Sequence, residues 1–427
     1  MNSLLGHRGI RSNIKQLTKD LYLGHVRLPI QGLSKDDDHP MTYSDLIGAF
    51  VGEIFNFKDI SPSSTTDLPL LLSMFNKNGA RGFDFFDGFW SAIMFEESTG
   101  FIHIVTDPLG KKPLYMRENP FAISSEIKAL YPLGECTFDK TYFSSVAKWG
   151  YCPETRTPFN EIKKIPGGIH AILSSVNGAV IGWEEYTTIG PVKDSSIPVL
   201  IEEAVRRRTV SDVPISLLMS GGLDSAIIYY MLRPFKEELT IFHVDNNEAQ
   251  YLEYVDFRPT DKLIKIDIGD DYDLDTVLYH NDGPVDLGSM VPQYLLAREI
   301  KRHGFSVCLS GDGADELFGG YKRITSYDSQ YSDIFHELVY YHLPRLDKMM
   351  MAHTVELRCP FLAVSVIEKA LSLPYKDRIN KKALKESFRG MVPDEIIDRV
   401  KQPLRHRTKR LSRNNLIERY KSMIKEI

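Results

Sequence analysis

PISLLMSGGLDSAIIYYM, residues 214–231, reads as an apolar strand, a glycine turn and an apolar helix in direct succession. A strand that feeds a helix through Ser220-Gly221-Gly222-Leu223-Asp224-Ser225 predicts a parallel α/β layer with an anion cradle at the turn. Two glycines let backbone N–H groups approach an oxyanion, the helix N-terminus adds its positive end, and Ser220 and Ser225 can donate from their hydroxyls. Pyrophosphate suits such a cradle. Asp224 fits an anion site only if a divalent cation lies between it and the phosphates, as where one or two carboxylates hold Mg²⁺. The loop matches neither the G-x-x-x-x-G-K-[ST] P-loop nor a complete dinucleotide fingerprint, which weighs against kinase and dehydrogenase chemistry.

Outward from this stretch, FSVCLSGDGADELFGGY (305–321) repeats the logic, with Gly311, Gly313, Gly319 and Gly320 set around Asp312, Asp315 and Glu316. Ligands of parallel sheets bind beyond the carboxyl ends of the strands, so both loops are expected to face one crevice. The helical IPVLIEEAVRRRT (197–209) and the strand LTIFHV (239–244) continue the strand–helix alternation. Residues 20–185 differ: AFVGEIFNF (49–57), FIHIV (101–105) and GGIHAILSS (167–175) are short apolar runs broken by Gly, Pro and Asn, the pattern of a β-rich sandwich. TTIGPVKDSSIP (187–198) reads as the linker. A length of 427 residues fits two to three domains. The expected division is 1–187, a linker at 188–198, and 199–427.

The net charge of −5 argues against a whole-protein electrostatic grip on nucleic acid or anionic lipid. Four scattered cysteines signal neither a zinc site nor a disulfide framework, and no run is long and apolar enough to span a membrane. A cytoplasmic protein is expected. Residues 399–427 hold ten Lys or Arg against two Glu, with Leu404, Leu411, Leu416, Ile417, Tyr420 and Ile424 interleaved at near-helical spacing. This favours a docked amphipathic helix over a wall for polyphosphate or a nucleic-acid arm.

SGGLDS together with LSGDGADELFGGY resembles the synthetase domain of class B asparagine synthetases, the AMP-forming amidotransferases related to adenylating PP-loop enzymes. GHRGI (6–10), HVRLPI (25–30), GEIFN (52–56), DPLGKKPLY (107–115), SSEIKAL (124–130), VELRCPFL (355–362) and KKALKESF (381–388) extend the resemblance along nearly the whole chain. It implies a two-domain α/β protein. The N-terminal half would be a glutaminase-type sandwich of the N-terminal-nucleophile fold, and the C-terminal half a parallel-sheet, adenine nucleotide alpha-hydrolase-like PP-loop synthetase.

The resemblance also implies residue roles. Ser220, Gly221, Gly222, Ser225 and Gly311 would hold ATP and its departing pyrophosphate, and Asp224 and Asp315 would hold Mg²⁺. Asp312 falls where the family carries a carboxylate that manages the proton of the attacking amine, Lys381 matches a lysine that stabilises negative charge, and Asp282 and Ser289 fall on the substrate loop. Glu356 and Arg358 read as a structural ion pair. In the first half, Arg27, Gly52, Glu53 and Asp67 match glutamine-binding positions.

Departures from the family concern that first half. Its nucleophilic cysteine follows the initiator Met, whereas Asn2 stands here, and the start reads as shortened because GHRGI lies further into the family's domain. Val51 stands where an asparagine would complete the oxyanion hole. The expectation is an ATP-dependent ligase that amidates aspartate with free ammonia and has no glutaminase activity. Its partners would be small molecules, with a homodimer favoured if the shortened half exposes an apolar face. The competing readings are a β-lactam- or macrolactam-forming ligase of the same fold and a non-catalytic nucleotide-binding protein.

Overall fold

The computed structural model describes residues 2–187, 195–244, 249–266, 268–269, 271–285, 287–399 and 411–426. Residues 188–194 of the expected linker lie outside them, as does the basic run 400–410.

The first half is built on a six-stranded antiparallel sheet in the order β11-β10-β6-β5-β4-β3. Its strands are β3 (Met41–Tyr43), β4 (Leu46–Ile54), β5 (Gly88–Glu96), β6 (Phe101–Thr106), β10 (Ile169–Ser174) and β11 (Val180–Glu185). A hairpin of β1 (Arg11–Gln16) and β2 (Tyr22–Arg27) and a three-stranded sheet of β7 (Tyr115–Arg117), β8 (Ala122–Ser124) and β9 (Ile162–Lys164) complete its strands. Leu23, Leu114 and Ile165 from these layers pack with Ile47, Ala49, Phe95 and Ile104 on one face of the main sheet. The helix Asp67–Asn78 covers the other face with Leu68, Leu71, Leu72 and Phe75, among Phe50, Trp90 and Met94. Both faces of β4 and β5 are therefore buried, which explains their near-continuous apolar sequence where a solvated strand would alternate.

The second half is a five-stranded, all-parallel sheet in the order β14-β13-β12-β15-β16. β12 (Ile215–Leu218) is central and pairs with β13 (Thr240–Val244) on one side and β15 (Val307–Leu309) on the other. β14 (Lys262–Ile266) and β16 (Glu356–Arg358) are the edges. The chain moves outward from β12 through β13 to β14, then crosses back to β15 on the opposite flank. The strand order thus reverses between β12 and β15, the place where open α/β sheets open a crevice for ligands. The helix Leu223–Leu232 is apolar nearly all round, as a helix clamped between sheet and outer helices must be.

The halves are joined by charges that have lost contact with water. Arg8 donates to Glu126 at 2.7 Å and to Asp347 at 2.8 Å, Lys112 pairs with Asp347 at 2.9 Å, and all four are at most 8% exposed. Lys111 donates to the Leu362 carbonyl at 2.6 Å, and Arg207 and Arg208 reach Asp87 at 3.2 and 3.1 Å. The C-terminal helix Arg413–Glu426 bridges both halves: Leu416, Ile417 and Tyr420 pack among Phe143, Val146, Val277 and Leu278, and Arg419 meets Asp275 at 2.6 Å. The docked amphipathic helix expected from the sequence is present over these residues. Leu404, in the same expectation, lies outside the described residues.

Candidate active site

The loop after β12 wraps around its own hydroxyls. Ser220 N–H donates to Ser225 Oγ at 3.2 Å, Gly222 N–H donates to Ser220 Oγ at 3.1 Å, and Ser225 Oγ donates to the Gly222 carbonyl at 3.1 Å. These bonds shape the turn Ser220–Ser225 before any ligand arrives. No side chain caps the helix that starts at Leu223, and the first amides of a helix have no intrahelical acceptor.

The loop after β15 lies directly against it. A Cβ on Gly311 would stand 2.7 Å from Cβ of Asp224 and 3.0 Å from the Ser225 nitrogen, so only glycine allows this approach. Asp312 accepts a 2.6 Å hydrogen bond from Ser310 Oγ, which orients its carboxylate at the strand end.

Lys381 closes the site. Its ammonium is 2.6 and 2.7 Å from the two oxygens of Asp224 and 2.6 Å from Asp315 Oδ1. Burial opposes the charge, but the carboxylates of Asp224 and Asp315 more than offset it and hold the ammonium far above its ordinary pKa. The backbone that delivers it is strained: Asn380 and Lys381 both have left-handed φ, +55° and +58°. Non-glycine residues in that region cost of order 1 kcal/mol each. The Lys381 N–H is anchored on the Phe318 carbonyl at 2.8 Å. A Cβ on Gly320 would overlap the Asp315 carboxylate and the Lys381 side chain, so any larger residue there would displace both from their pairing.

Asp224 and Asp315 thus converge on one point, where the Lys381 ammonium lies 2.6 Å from each. Among the described residues no cluster of three or more His, Cys, Asp or Glu is placed to hold a metal. The donor set fits Mg²⁺ held by two carboxylates with phosphate oxygens as co-ligands, the usual arrangement for this ion with a nucleotide. It also brings Lys381 to the same point.

Arg399 is a site residue that sequence reasoning did not single out. Its guanidinium lies over Gly222, where a Cβ would come within 2.8 Å of Nη2, and over the Tyr251 ring at 5.1 Å. The signal was the basic run that begins at this residue.

The two substrate-loop residues sit elsewhere. Asp282 is 4% exposed and fully engaged: it accepts from the Ile127 and Lys128 N–H groups at 3.0 Å and pairs with Lys128 at 3.0 Å and Lys348 at 3.1 Å. It stands in the junction between the halves, with its carboxylate engaged by these donors. The Ser289 hydroxyl accepts from Arg345 and lies 3.3 Å from the Tyr341 hydroxyl. Glu356 and Arg358 form a buried pair at 2.9 Å, and Arg358 also donates to the Arg208 and Val210 carbonyls.

The four glutamine-site positions come together in the first half. Asp67 feels the charge of Arg27, and Glu53 feels that of Asp67; Gly52 stands opposite Trp90 in the β4–β5 ladder. Their polar groups are already occupied by the chain. Arg27 donates to the Gln31 and Gly32 carbonyls at 2.6 and 2.7 Å and to Asp38 at 3.0 Å. The Gln31 side-chain amide donates to Glu53, and Asp67 accepts from the Ile54 N–H at 3.0 Å. Burial, then the neighbouring Glu356 and Asp67 carboxylates, push Glu53 well above the usual carboxylate range.

Two parallel loops meeting at the switch point of a 3-2-1-4-5 sheet, behind a β-sandwich half, define a two-domain nucleotide-using amidotransferase architecture. The Asparagine synthase family model matches residues 197–338 and 325–426, the Glutamine amidotransferase domain model matches 1–185, and the chain belongs to the asparagine synthetase family. Asparagine synthetase 1 of Bacillus subtilis, of the glutamine-hydrolysing type, is 23% identical over an alignment of 555 residues that covers 100% of this chain and 86% of the relative. A glutamine-hydrolysing asparagine synthetase-type protein of Methanocaldococcus jannaschii is 28% identical over 75% of this chain and 72% of its own length. Asparagine synthetase B of Escherichia coli K12 is 23% identical over 94% and 77%.

Proposed function

We propose that this protein is an AMP- and pyrophosphate-forming ligase that amidates aspartate to asparagine with free ammonia. The observation that carries this reading is the convergence of Asp224, Asp315 and Lys381 where the loops after β12 and β15 touch, with Asp312 beside them.

Activation comes first. The side-chain carboxylate of aspartate attacks the α-phosphorus of ATP and pyrophosphate departs. The amides of Gly221 and Gly222 and the hydroxyls of Ser220 and Ser225 receive it, which stabilises charge that grows in the transition state. Lys381, beside Asp224, and Arg399, beside Gly222, contribute positive charge to the loop. Mg²⁺, when bound by Asp224 and Asp315, adds neutralisation of the departing phosphates.

In the second step ammonia attacks the acyl-adenylate carbonyl and AMP leaves. The attacking nitrogen must shed a proton, and Asp312, oriented by Ser310, is the carboxylate placed to take it. A dry site favours both steps, since acyl-adenylates hydrolyse in water.

Ammonia as nitrogen source is supported by the first half. Val51 has no side-chain donor for an oxyanion, and Gln31 and the backbone carbonyls already occupy Glu53 and Arg27. The domain division 1–187, 188–198 and 199–427, and a cytoplasmic location, belong to the same proposal. No helix among the described residues is long and apolar enough to cross a membrane.

The test is AMP, pyrophosphate and asparagine release from ATP, Mg²⁺ and aspartate, with ammonium chloride, glutamine or neither. Asparagine with ammonium and none with glutamine is expected. Glutamate release from glutamine above the enzyme-free control would overturn the ammonia-only reading. Pyrophosphate without asparagine would redirect it to another acceptor amine.

A further inference from the structure

We propose that a cavity at the junction of the two halves, between β7, β9 and the helix Leu343–Met351, is a binding site for a small carboxylate anion. It involves none of the residues assigned to the ATP loops, and the proposal does not rest on the amide-forming reading. The cavity measures about 60 Å³ and is lined by Lys164, Arg345 and Lys348 with Tyr115 and Tyr341; Asp282, paired with Lys348 at 3.1 Å, and Glu154, paired with Arg156 at 2.8 Å, line it too.

Two cations there lack the carboxylate partner that four neighbouring buried cations possess. Arg8, Lys112, Lys128 and Lys348 are each within 3.1 Å of a carboxylate. Lys164 and Arg345, 7% and 5% exposed, have none within 4 Å among the described residues. Lys164 donates only to the Val339 carbonyl at 2.8 Å and lies over the Tyr340 ring at 5.0 Å. Arg345 donates one Nη to Ser289 Oγ and stacks on Tyr341 at 4.9 Å, while its buried Nε has no partner. Glu337 feels the charge of Arg345 but makes no ion pair with it.

A buried charge without a counter-ion is costly, and a buried N–H without an acceptor adds to that cost. Both costs disappear if an anion enters. A guanidinium with a donor left unpartnered favours a planar carboxylate, which it binds through paired N–H donors. Aromatic walls and a small volume exclude a nucleotide. Burial, then the neighbouring Lys348 ammonium, lower Lys164 to about 7, so near neutral pH an arriving anion would draw a proton onto it.

The experiment uses the full chain in chloride-free HEPES without ATP. Succinate, and inorganic phosphate in a parallel arm, are titrated by calorimetry and by thermal unfolding. Succinate is expected to bind, raise the melting temperature and take up protons at pH 7.5. Lys164→Gln and Arg345→Gln should each weaken binding at least tenfold. At pH 6, where Lys164 carries its charge, Lys164→Gln removes an unpaired buried charge, so in anion-free buffer it should there be at least as stable as the parent, which separates lost binding from lost folding. Asp312→Asn should bind succinate unchanged. Absence of succinate binding, binding indifferent to both glutamine variants, or binding lost in Asp312→Asn would each overturn the proposal. Phosphate binding with succinate silent would overturn the carboxylate assignment.

Discussion

The ammonium of Lys381 sits 2.7 Å from Oδ1 and 2.6 Å from Oδ2 of Asp224, tying a residue at the start of one helix to one 157 positions later. The tie depends on two consecutive left-handed residues, a conformation that local energetics disfavours. Lys381→Met removes the cation shared by Asp224 and Asp315, and aspartate-dependent pyrophosphate release is expected to fall about 10²–10³-fold, the usual effect of losing one preorganised charge-stabilising group. Lys381→Arg should recover part of the rate. Circular dichroism should show both variants folded.

Gly311→Ala tests the contact between the loops. The new methyl would meet Asp224 Cβ at 2.7 Å and force the loops apart. A stability loss of about 1–3 kcal/mol is expected from overpacking. Urea midpoints read the stability, and a raised KM for ATP would report the displaced phosphate loop.

Asp347→Asn probes the junction. Arg8 and Lys112 would keep their burial and lose their shared carboxylate. Breaking a buried pair in this way costs about 3–5 kcal/mol, so the melting temperature should fall by several degrees. Replacing Arg8, Lys112 and Asp347 together by apolar residues should recover much of the loss, because no charge is then left stranded.

Asp67 supplies a pH dependence. Burial raises it from 3.8 to about 6 in the folded protein. The native state therefore binds this proton more tightly than the unfolded chain does. The stabilisation is complete below pH 3.8 and is lost as pH rises towards 6. Asp67→Asn keeps an acceptor for the Ile54 N–H and should flatten that part of the stability profile, measured as denaturant midpoints across this range.

Much of the site was legible because its geometry is local. Ser220 to Ser225 are joined by hydrogen bonds spanning at most five residues, so glycine spacing and hydroxyl placement carry the whole cradle. The same holds for Ser310 and Asp312. The ion network of Asp282 was not legible for the opposite reason: its partners Lys128 and Lys348 lie far away in the chain, and a Gly- and Pro-flanked aspartate looks the same in a loop and in an ion network. GHRGI, DPLGKKPLY and SSEIKAL marked the family, yet Arg8, Lys111, Lys112, Glu126 and Lys128 serve the seam between the halves.

By itself the sequence determined the two-layer division, the parallel sheet with its two glycine loops, and the chemical types gathered at the phosphate end. These follow from short-range periodicity and turn chemistry, which act over a few residues. Tertiary structure decided which charges meet: that Lys381 bridges Asp224 and Asp315, that Gln31 occupies Glu53, and that Lys164 and Arg345 line a cavity with no carboxylate within 4 Å of either among the described residues. Electrostatic pairing depends on distance in space and on exclusion of water, and neither is written in the spacing of residues along the chain.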